Sequence, residues 1–328
     1  RLPKWLVACA LGRARLDVDA LRGRDLEGAD LEGIDFRGQD FTDSRLHRCS
    51  FKHGQLAGAN FTRANLEWAV FDGADATGAT FAEAALMAAS FVGAKLPGVD
   101  LRGHTLKMTN FKQADLQRAD FTDAFLDMTV LAEADLRSAD LTRAVAKSAD
   151  LKGASIEGIV LTGAELHCDL SELDYDHLPF AGVTLSRCMF READLSGRQL
   201  RDCDLTGTLF MKCKLAGADF RGSRLDMANF AEADLNGANL EGVVAKMAIF
   251  AGLTRTNLRG ATLRNSILPS AKALGTDLRD CDLRETVWTE ADASGAVFAG
   301  ADLRYADMSY AVLDQAVFDG AEMARTNL

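Results

Sequence analysis

Histidine and carboxylate side chains are the residues of this sequence best suited to acid–base or metal chemistry, and their spacing matches no catalytic or zinc-binding motif. The 5 His residues are scattered along the chain, and no HExxH string occurs. His104 occupies a position that Ala usually fills, so we expect a local distortion or a partly buried, hydrogen-bonded imidazole there. His167 and His177 flank an acidic segment, which we interpret as a solvated break in the fold. This acidic break comprises Glu165, Asp169, Glu172, Asp174 and Asp176.

Cysteine is better explained by packing than by chemistry. Each of the 7 Cys residues lies two positions before a Leu or Phe, and the chain has no CxxC pair. This placement predicts small buried side chains with reduced thiols, and hence a cytoplasmic protein. The sequence also lacks a P-loop and a GxSxG string, so we predict no catalytic, metal-binding or cofactor-binding residues. The cysteines are Cys9, Cys49, Cys168, Cys188, Cys203, Cys213 and Cys281.

A five-residue period organises the chain. A small residue, usually Ala, lies two positions before most of the large apolar residues, and Asp is frequent between them. This period matches neither the value of about 3.6 typical of a helix nor the value of about 2 typical of a strand, so we expect a repeat architecture. Between Ala119 and Leu141 the large apolar residues, here called centres, are Phe121, Leu126, Leu131, Leu136 and Leu141.

The tandem A-[D/N]-[L/F]-x-x pattern, which covers nearly the whole chain, resembles the pentapeptide-repeat family. The resemblance implies an all-β fold, a right-handed quadrilateral parallel β-helix. In that fold each pentapeptide forms one side of a square and four pentapeptides form a coil. At this ratio the chain would form about sixteen coils. Residues four repeats apart would stack on one another, which places the Phe residues in columns.

We predict one such β-helix over residues 16–328, preceded by a cap or lead-in segment at residues 1–15. A cap is expected because the open end of a β-helix exposes unpaired backbone groups. The period is interrupted near residues 167–180, where the register slips, and again near 251–257. At the second break we predict three added residues that form a bulge or short loop. Because the chain begins with Arg1, we interpret it as part of a larger bacterial protein.

Large apolar residues at outward positions predict a surface for a protein partner. Trp68, Met108 and Met128 each lie two residues after a centre and are whole coils apart, so they should stack on one edge. Met227 and Met247 repeat this arrangement, and counting coils predicts that both groups share the edge. A strip of this kind is typical of a protein contact, although the chain's own N-terminal segment or a further domain could cover it. The candidate partner-binding edge comprises Trp68, Met108, Met128, Val130, Met189, Leu209, Met227, Met247 and Ile249.

Charge and hydropathy narrow the function classes. The net charge of −11 argues against direct binding of nucleic-acid phosphates, and no apolar stretch approaches the roughly 18 residues of a membrane span. We therefore predict a non-enzymatic structural or protein-interaction module without a cofactor. The family resemblance implies an alternative, an acidic mimic of duplex DNA that binds DNA gyrase. A third interpretation is a secreted effector or an accessory protein of a secretion system.

Overall fold

A computed structural model describes residues 21–180 and 183–328. The predicted cap or lead-in segment, residues 1–15, lies outside the described residues. The chain divides into two compact units, Arg1–Pro179 (unit 1) and Phe180–Leu328 (unit 2).

Each repeat folds into a short extended segment followed by a tight turn. In the repeat around Leu116, this centre and Ala119 are buried, whereas Asp115 is partly exposed. The turn is closed by a hydrogen bond from the Ala119 N–H to the Leu116 carbonyl, with an N···O distance of 3.0 Å. The second turn residue, Arg118, has a φ of 59°, and Gly98 holds the same position one coil earlier with a φ of 68°. The frequency of Gly two residues after a centre follows from this left-handed conformation.

Successive coils pair as parallel strands through residues twenty positions apart, so each interval contains four repeats. Asp115 pairs with Asp135, and the Leu116 N–H donates to the Asp135 carbonyl at 2.9 Å. Most pairings are single bridges because each extended segment is short. No α-helix forms within residues 21–180 and 183–328, although a 3-10 helix lies at Tyr175–His177. The longer strands are β1 (Val145–Asp150), paired with β2 (Glu165–Asp169), and β3 (Asn229–Asp234), paired with β4 (Ile249–Gly252).

The core of each unit contains stacked aromatic columns, which confirms the predicted placement of Phe residues. In unit 1, Phe51, Phe71 and Phe91 stack with successive ring centroids 5.0 and 4.7 Å apart. In unit 2, Phe210 and Phe230 stack at 4.9 Å. These distances match the spacing of neighbouring strands, so identical side chains fill the core without steps in its width.

The position two residues before each centre, here called the slot, most often holds a buried Ala, and in several other repeats it carries a short hydrogen-bond donor. Ser44 Oγ donates to the Leu21 carbonyl at 2.6 Å, and Thr109 Oγ1 donates to the Leu86 carbonyl at 2.9 Å. Cys281 Sγ lies 2.9 Å from the Leu258 carbonyl, and burial raises the pKa of this thiol to about 12. The six cysteines among the described residues are all buried, and no disulfide bond joins any two of them. Cys9 lies outside the described residues.

The first break lies at the end of unit 1. The pairing Val145↔Glu165 spans twenty residues, whereas Asp150↔Asp169 spans one fewer, so the register slips within β2. Tyr175 then folds inward, and its hydroxyl donates to the Leu170 carbonyl at 2.8 Å. Large buried side chains thus replace the regular repeat after β2, because slot positions here hold Leu173 and Leu178 rather than small residues.

The second break is a contraction, so the predicted three-residue insertion with a bulge or loop is wrong. Leu253 is fully buried as a centre, only three residues after Phe250, and its N–H donates to the Lys272 carbonyl at 2.7 Å. The coil is consequently eighteen residues long, as the pairing Ile249↔Ile267 shows. Strand β4 replaces the turn, and Gly252 makes this feasible because a Cβ there would lie 2.7 Å from the Ala233 carbonyl oxygen.

Candidate partner-binding surface

The acidic break does not gather its carboxylates around one point. Asp169 accepts from the Ser171 N–H at 2.9 Å, and Glu172 pairs with Lys152 at 3.2 Å. Asp174 accepts from the Asp176 N–H at 3.0 Å and lies 2.8 Å from His177 Nδ1. Glu165 belongs to β2 and pairs with Val145. Within residues 21–180 and 183–328, no group of His, Cys, Asp and Glu has the arrangement of a metal site.

The unit 1 part of the candidate edge carries separated apolar side chains. Trp68, Met108 and Met128 are each about half exposed, and all three adopt the left-handed turn conformation. Ala88 lies between Trp68 and Met108 in this column, so the large side chains are not continuous. Val130 is half-buried in the neighbouring column, where it pairs with the polar Asn110 and Asp150.

The unit 2 part of the edge has fewer interruptions. Met227 is 51% exposed and Met247 60%, and they occupy successive coils at the same turn position. The adjacent column pairs Met189 with Leu209, then continues through Asn229 to Ile249. It extends further than the sequence predicted, because Ile267 pairs with Ile249 and Val287 pairs with Ile267. We call this surface the apolar face: Met189, Leu209, Met211, Met227, Met247, Ile249, Ile267 and Val287.

Sequence reasoning missed Ile267 and Val287 because of the second break. When residues 251–257 are treated as a loop, the register of the following repeats is lost. When Phe250 to Leu253 is counted as one short side, Ile267 falls directly after Ile249 in the column. The signal that could have found these residues was therefore Leu253, a large apolar residue that was not recognised as a centre.

Ion pairs border the apolar face. Glu285 holds the same turn position as Met247 two coils later, and its carboxylate lies 2.6 Å from the guanidinium of Arg264. Arg224 pairs with Asp226, next to Met227, at 3.4 Å. An apolar strip with a charged rim is the composition typical of protein interfaces, since the strip supplies buried area and the rim stays hydrated.

Many outward carboxylates form an ion pair with an arginine two residues later. Arg284 donates to Asp282 at 2.6 Å, and this hydrogen bond lowers the pKa of the carboxyl. Asp219 accepts from Arg221 at 2.8 Å and also from Arg201, and its side chain is only 9% exposed. The hydrogen bond from Arg221 is the largest influence that lowers the pKa of Asp219, against the opposing effect of burial. Seven Asp–Arg pairs have this spacing among the described residues: Asp35–Arg37, Asp100–Arg102, Asp135–Arg137, Asp219–Arg221, Asp277–Arg279, Asp282–Arg284 and Asp302–Arg304.

No helix formed by the described residues is long and apolar enough to cross a bilayer.

Comparison with solved structures returns several pentapeptide repeat proteins. One from the thylakoid lumen of Arabidopsis thaliana is 35% identical over 34% of this chain and 74% of its own, with a TM-score of 0.28. HetL, involved in heterocyst differentiation regulation in Nostoc sp. strain PCC 7120, is 22% identical over 90% of both chains, with a TM-score of 0.20. QnrB1, a plasmid-mediated fluoroquinolone resistance protein, is 20% identical over 71% of this chain and 91% of its own, with a TM-score of 0.24.

A search of curated proteins gave no match. A family model described as pentapeptide repeats in eight copies matches this chain along most of its length. The matched residues are 21–53, 55–84, 64–103, 98–130, 127–163, 180–207, 209–244, 250–284, 276–309, 289–320 and 296–328. Together with the five-residue period, the turn geometry and the parallel pairing of successive coils, this match establishes that the chain belongs to the pentapeptide-repeat family.

Proposed function

We propose that this protein is a non-enzymatic interaction module that binds a protein partner through the apolar face of unit 2. The observation that carries the proposal is the outward column from Met189 to Val287, apolar at every position except Asn229, beside the exposed Met227 and Met247. The proposed scaffold is a right-handed, four-sided solenoid of about sixteen coils, in which the turns expose this face while the core stays closed.

The composition of the face favours a protein over a small ligand. Asn229 is the polar member of the column, so the face offers apolar contact area rather than converging hydrogen-bond donors. Five coil steps separate Met189 from Val287, which corresponds to about 24 Å at the usual strand spacing. An amphipathic helix of roughly 16 residues has this length. We therefore propose a partner with a helical apolar stripe, for which flexible Met side chains provide an adaptable surface.

Affinity capture from the native lysate with two matched double variants tests the proposal. Met227→Glu with Met247→Glu places charge on the apolar face and should abolish capture of the partner. Arg255→Glu with Gln315→Glu alters two exposed turn residues of unit 2 with the same left-handed backbone, half a coil away from the face, and should leave capture unchanged. Equal capture by the two folded variants would refute the assignment of this face.

The unit 1 edge is proposed as a second, weaker contact. Trp68, Met108 and Met128 are exposed but discontinuous, so they offer less contiguous apolar area than the unit 2 face. Changing Met108 and Met128 to Glu should weaken capture less than the unit 2 pair does. Covering of one edge by another segment of the chain would instead leave the variant pair on that edge without effect on capture.

The alternative function, mimicry of DNA toward gyrase, draws support from the net charge of −11. The Asp–Arg pairs act against it, since each places a guanidinium beside a carboxylate that would have to imitate a phosphate. Inhibition of gyrase supercoiling at micromolar protein, with binding that weakens as salt rises, would favour the mimic. Absence of inhibition would leave the interaction module as the better explanation.

A further inference from the structure

The backbone ladder of unit 1 is interrupted along one half-coil. Residues 78–105 are all described and lie away from the two breaks, yet six of the hydrogen bonds that join neighbouring coils in the regular parts of the chain are absent there. The bridges expected between Thr80 and Asp100 and between Ala85 and Thr105 are absent as well. The ladder is intact on both sides. There the Ala76 N–H donates to the backbone carbonyl of Lys95 at 3.0 Å, and the Ala88 N–H donates to that of Lys107 at 2.9 Å. The interruption is therefore a slit with closed ends.

His104 occupies the slot at the middle of this slit. Its Nε2 lies 2.9 Å from the Phe81 carbonyl, twenty-three residues earlier. Ser44, in the same column, reaches the equivalent carbonyl of Leu21 with a side chain two bonds shorter. Beside Ser44 the ladder bonds of Gly23, Leu26 and Arg45 are formed. The imidazole thus makes the usual slot contact through a longer side chain, and this extra length holds the two coils apart.

Two concavities lie on either side of His104. One, of about 550 Å³, is lined mainly by residues 78–83 and 98–104, and the other, of about 420 Å³, by residues 83–87 and 102–105 with Glu67. Both volumes fall within the range of about 300–1,000 Å³ usual for binding sites. Apart from the contact of His104 with Phe81, no side-chain hydrogen bond or ion pair joins the walls of the slit, residues 78–86 and 97–105. Between its closed ends, the contact of His104 with Phe81 is therefore the one side-chain hydrogen bond that links the walls of the slit.

The walls carry the hydrogen-bonding groups of a strand edge. On the lower coil, the N–H groups of Gly78, Phe81, Glu83 and Leu86 make no bond to the coil above, although the equivalent groups do so in the neighbouring coils of unit 1. On the upper coil, the N–H groups of Asp100 and Thr105 make no bond to the coil below. An extended peptide presents carbonyl and N–H groups to opposite sides, which satisfies both walls at once.

We propose that this slit binds a short extended peptide segment by pairing of its backbone with the open strand edges. Side-chain selectivity comes from the rim, where Glu67 lines one concavity and both Glu83 and Arg102 line the two. Arg102 is held by Asp100 at 2.6 Å, so the two glutamates favour a basic side chain on the peptide. This site is separate from the apolar face of unit 2, and it does not rest on the proposed function.

A peptide with the chain's own repeat sequence is the natural probe, because each wall is complementary to a repeat. The capped peptide of residues 134–143 (ADLRSADLTR) should bind saturably to the full chain and slow amide hydrogen exchange at Gly78, Phe81, Glu83 and Leu86 at least tenfold. The same peptide methylated on alternate amide nitrogens should give no protection. It cannot donate to the backbone carbonyls of the two walls, which lack their ladder donors in the slit.

Two variants test the large imidazole of His104 in its slot, here called the wedge, separately from general effects on folding. His104→Ser should close the ladder, so the four amides become protected without peptide and peptide affinity falls at least tenfold. Thr109→Ser, a change within the next slot, should leave peptide binding and exchange unchanged. Undiminished binding by His104→Ser would overturn the proposal. Slow exchange of the four amides in the free wild-type chain, or no protection by the unmethylated peptide at millimolar concentration, would also overturn it.

Discussion

Unit 1 and unit 2 are built from the same five-residue repeat, yet their main departures from it lie on opposite sides of the backbone. In unit 1 the departure points inward, where His104 fills a slot and the ladder beside it is interrupted. In unit 2 it points outward, where Met247 and Ile249 are exposed or half-buried and the Ile249 N–H still donates to the Ala228 carbonyl at 2.9 Å. Outward positions can therefore carry binding chemistry at little structural cost, whereas an inward change alters the ladder itself.

Removal of an inward aromatic should have the largest effect. Phe71→Ala deletes a ring that stacks on both Phe51 and Phe91, and it should lower the free energy of unfolding by about 3–5 kcal/mol. Phe125→Ala is the matched control, since Phe125 is an outward residue of the same unit and is 50% exposed. Its cost should be below about 1 kcal/mol in urea denaturation. Similar losses for the two variants would contradict the inward and outward assignment.

Transfer of the wedge to unit 2 should have the next largest effect. Ala238→His places an imidazole in a closed slot, where the Asn239 N–H donates to the Ala218 carbonyl at 2.8 Å. Overpacking there should cost about 1–3 kcal/mol, and amide exchange at Asn239 should become faster. Ala238→Ser should be nearly neutral, because its hydroxyl can donate to the Leu215 carbonyl as other slot residues do. An unchanged exchange rate at Asn239 in the His variant would show that size in the slot does not open the ladder.

An outward but shielded carboxylate should have an intermediate effect that depends on pH. The pKa of Asp219 is lowered below its usual 3.8, so its stabilisation is present above that pH and is lost as the pH falls toward the lower folded-state pKa. Asp219→Asn should cost about 1–2 kcal/mol at neutral pH, with the difference from wild type shrinking below pH 4. Asp194→Asn, at a well-exposed carboxylate paired with Lys214 at 3.4 Å, should cost less than about 0.5 kcal/mol. A pH-independent cost for Asp219→Asn would argue against an ionic contribution.

The exposed methionines should have the smallest effect on stability. Met227→Glu and Met247→Glu leave the left-handed turns and the core intact, so each should change the free energy of unfolding by less than about 0.5 kcal/mol. Their effect should appear in partner capture instead. A loss of stability comparable to that of Ala238→His would mean that these side chains support the fold.

The local repeat could be predicted from sequence because each pentapeptide carries its own pattern. The period from Ala119 to Leu141 identified the centres, and it also identified His104 as an exception. The sequence could not reveal the six absent ladder bonds beside His104, since such bonds join residues about twenty positions apart. It also concealed the contraction at Leu253, because the short side depends on the approach of Gly252 to Ala233 in the coil below. Ile267 and Val287 were lost from the predicted edge for this reason.

The three-residue side from Phe250 to Leu253 also bears on how such chains can change length. The following repeats keep their columns after two residues are missing, as the pairs Asn239↔Asn257 and Ile249↔Ile267 demonstrate. Two residues can therefore be lost from one side of a coil without a change in the surface formed by later repeats, provided that a glycine lies where the backbones of neighbouring coils approach each other. Genes for this architecture can therefore accept deletions that are not multiples of the repeat, and an alignment that penalises such gaps will misplace the residues that follow.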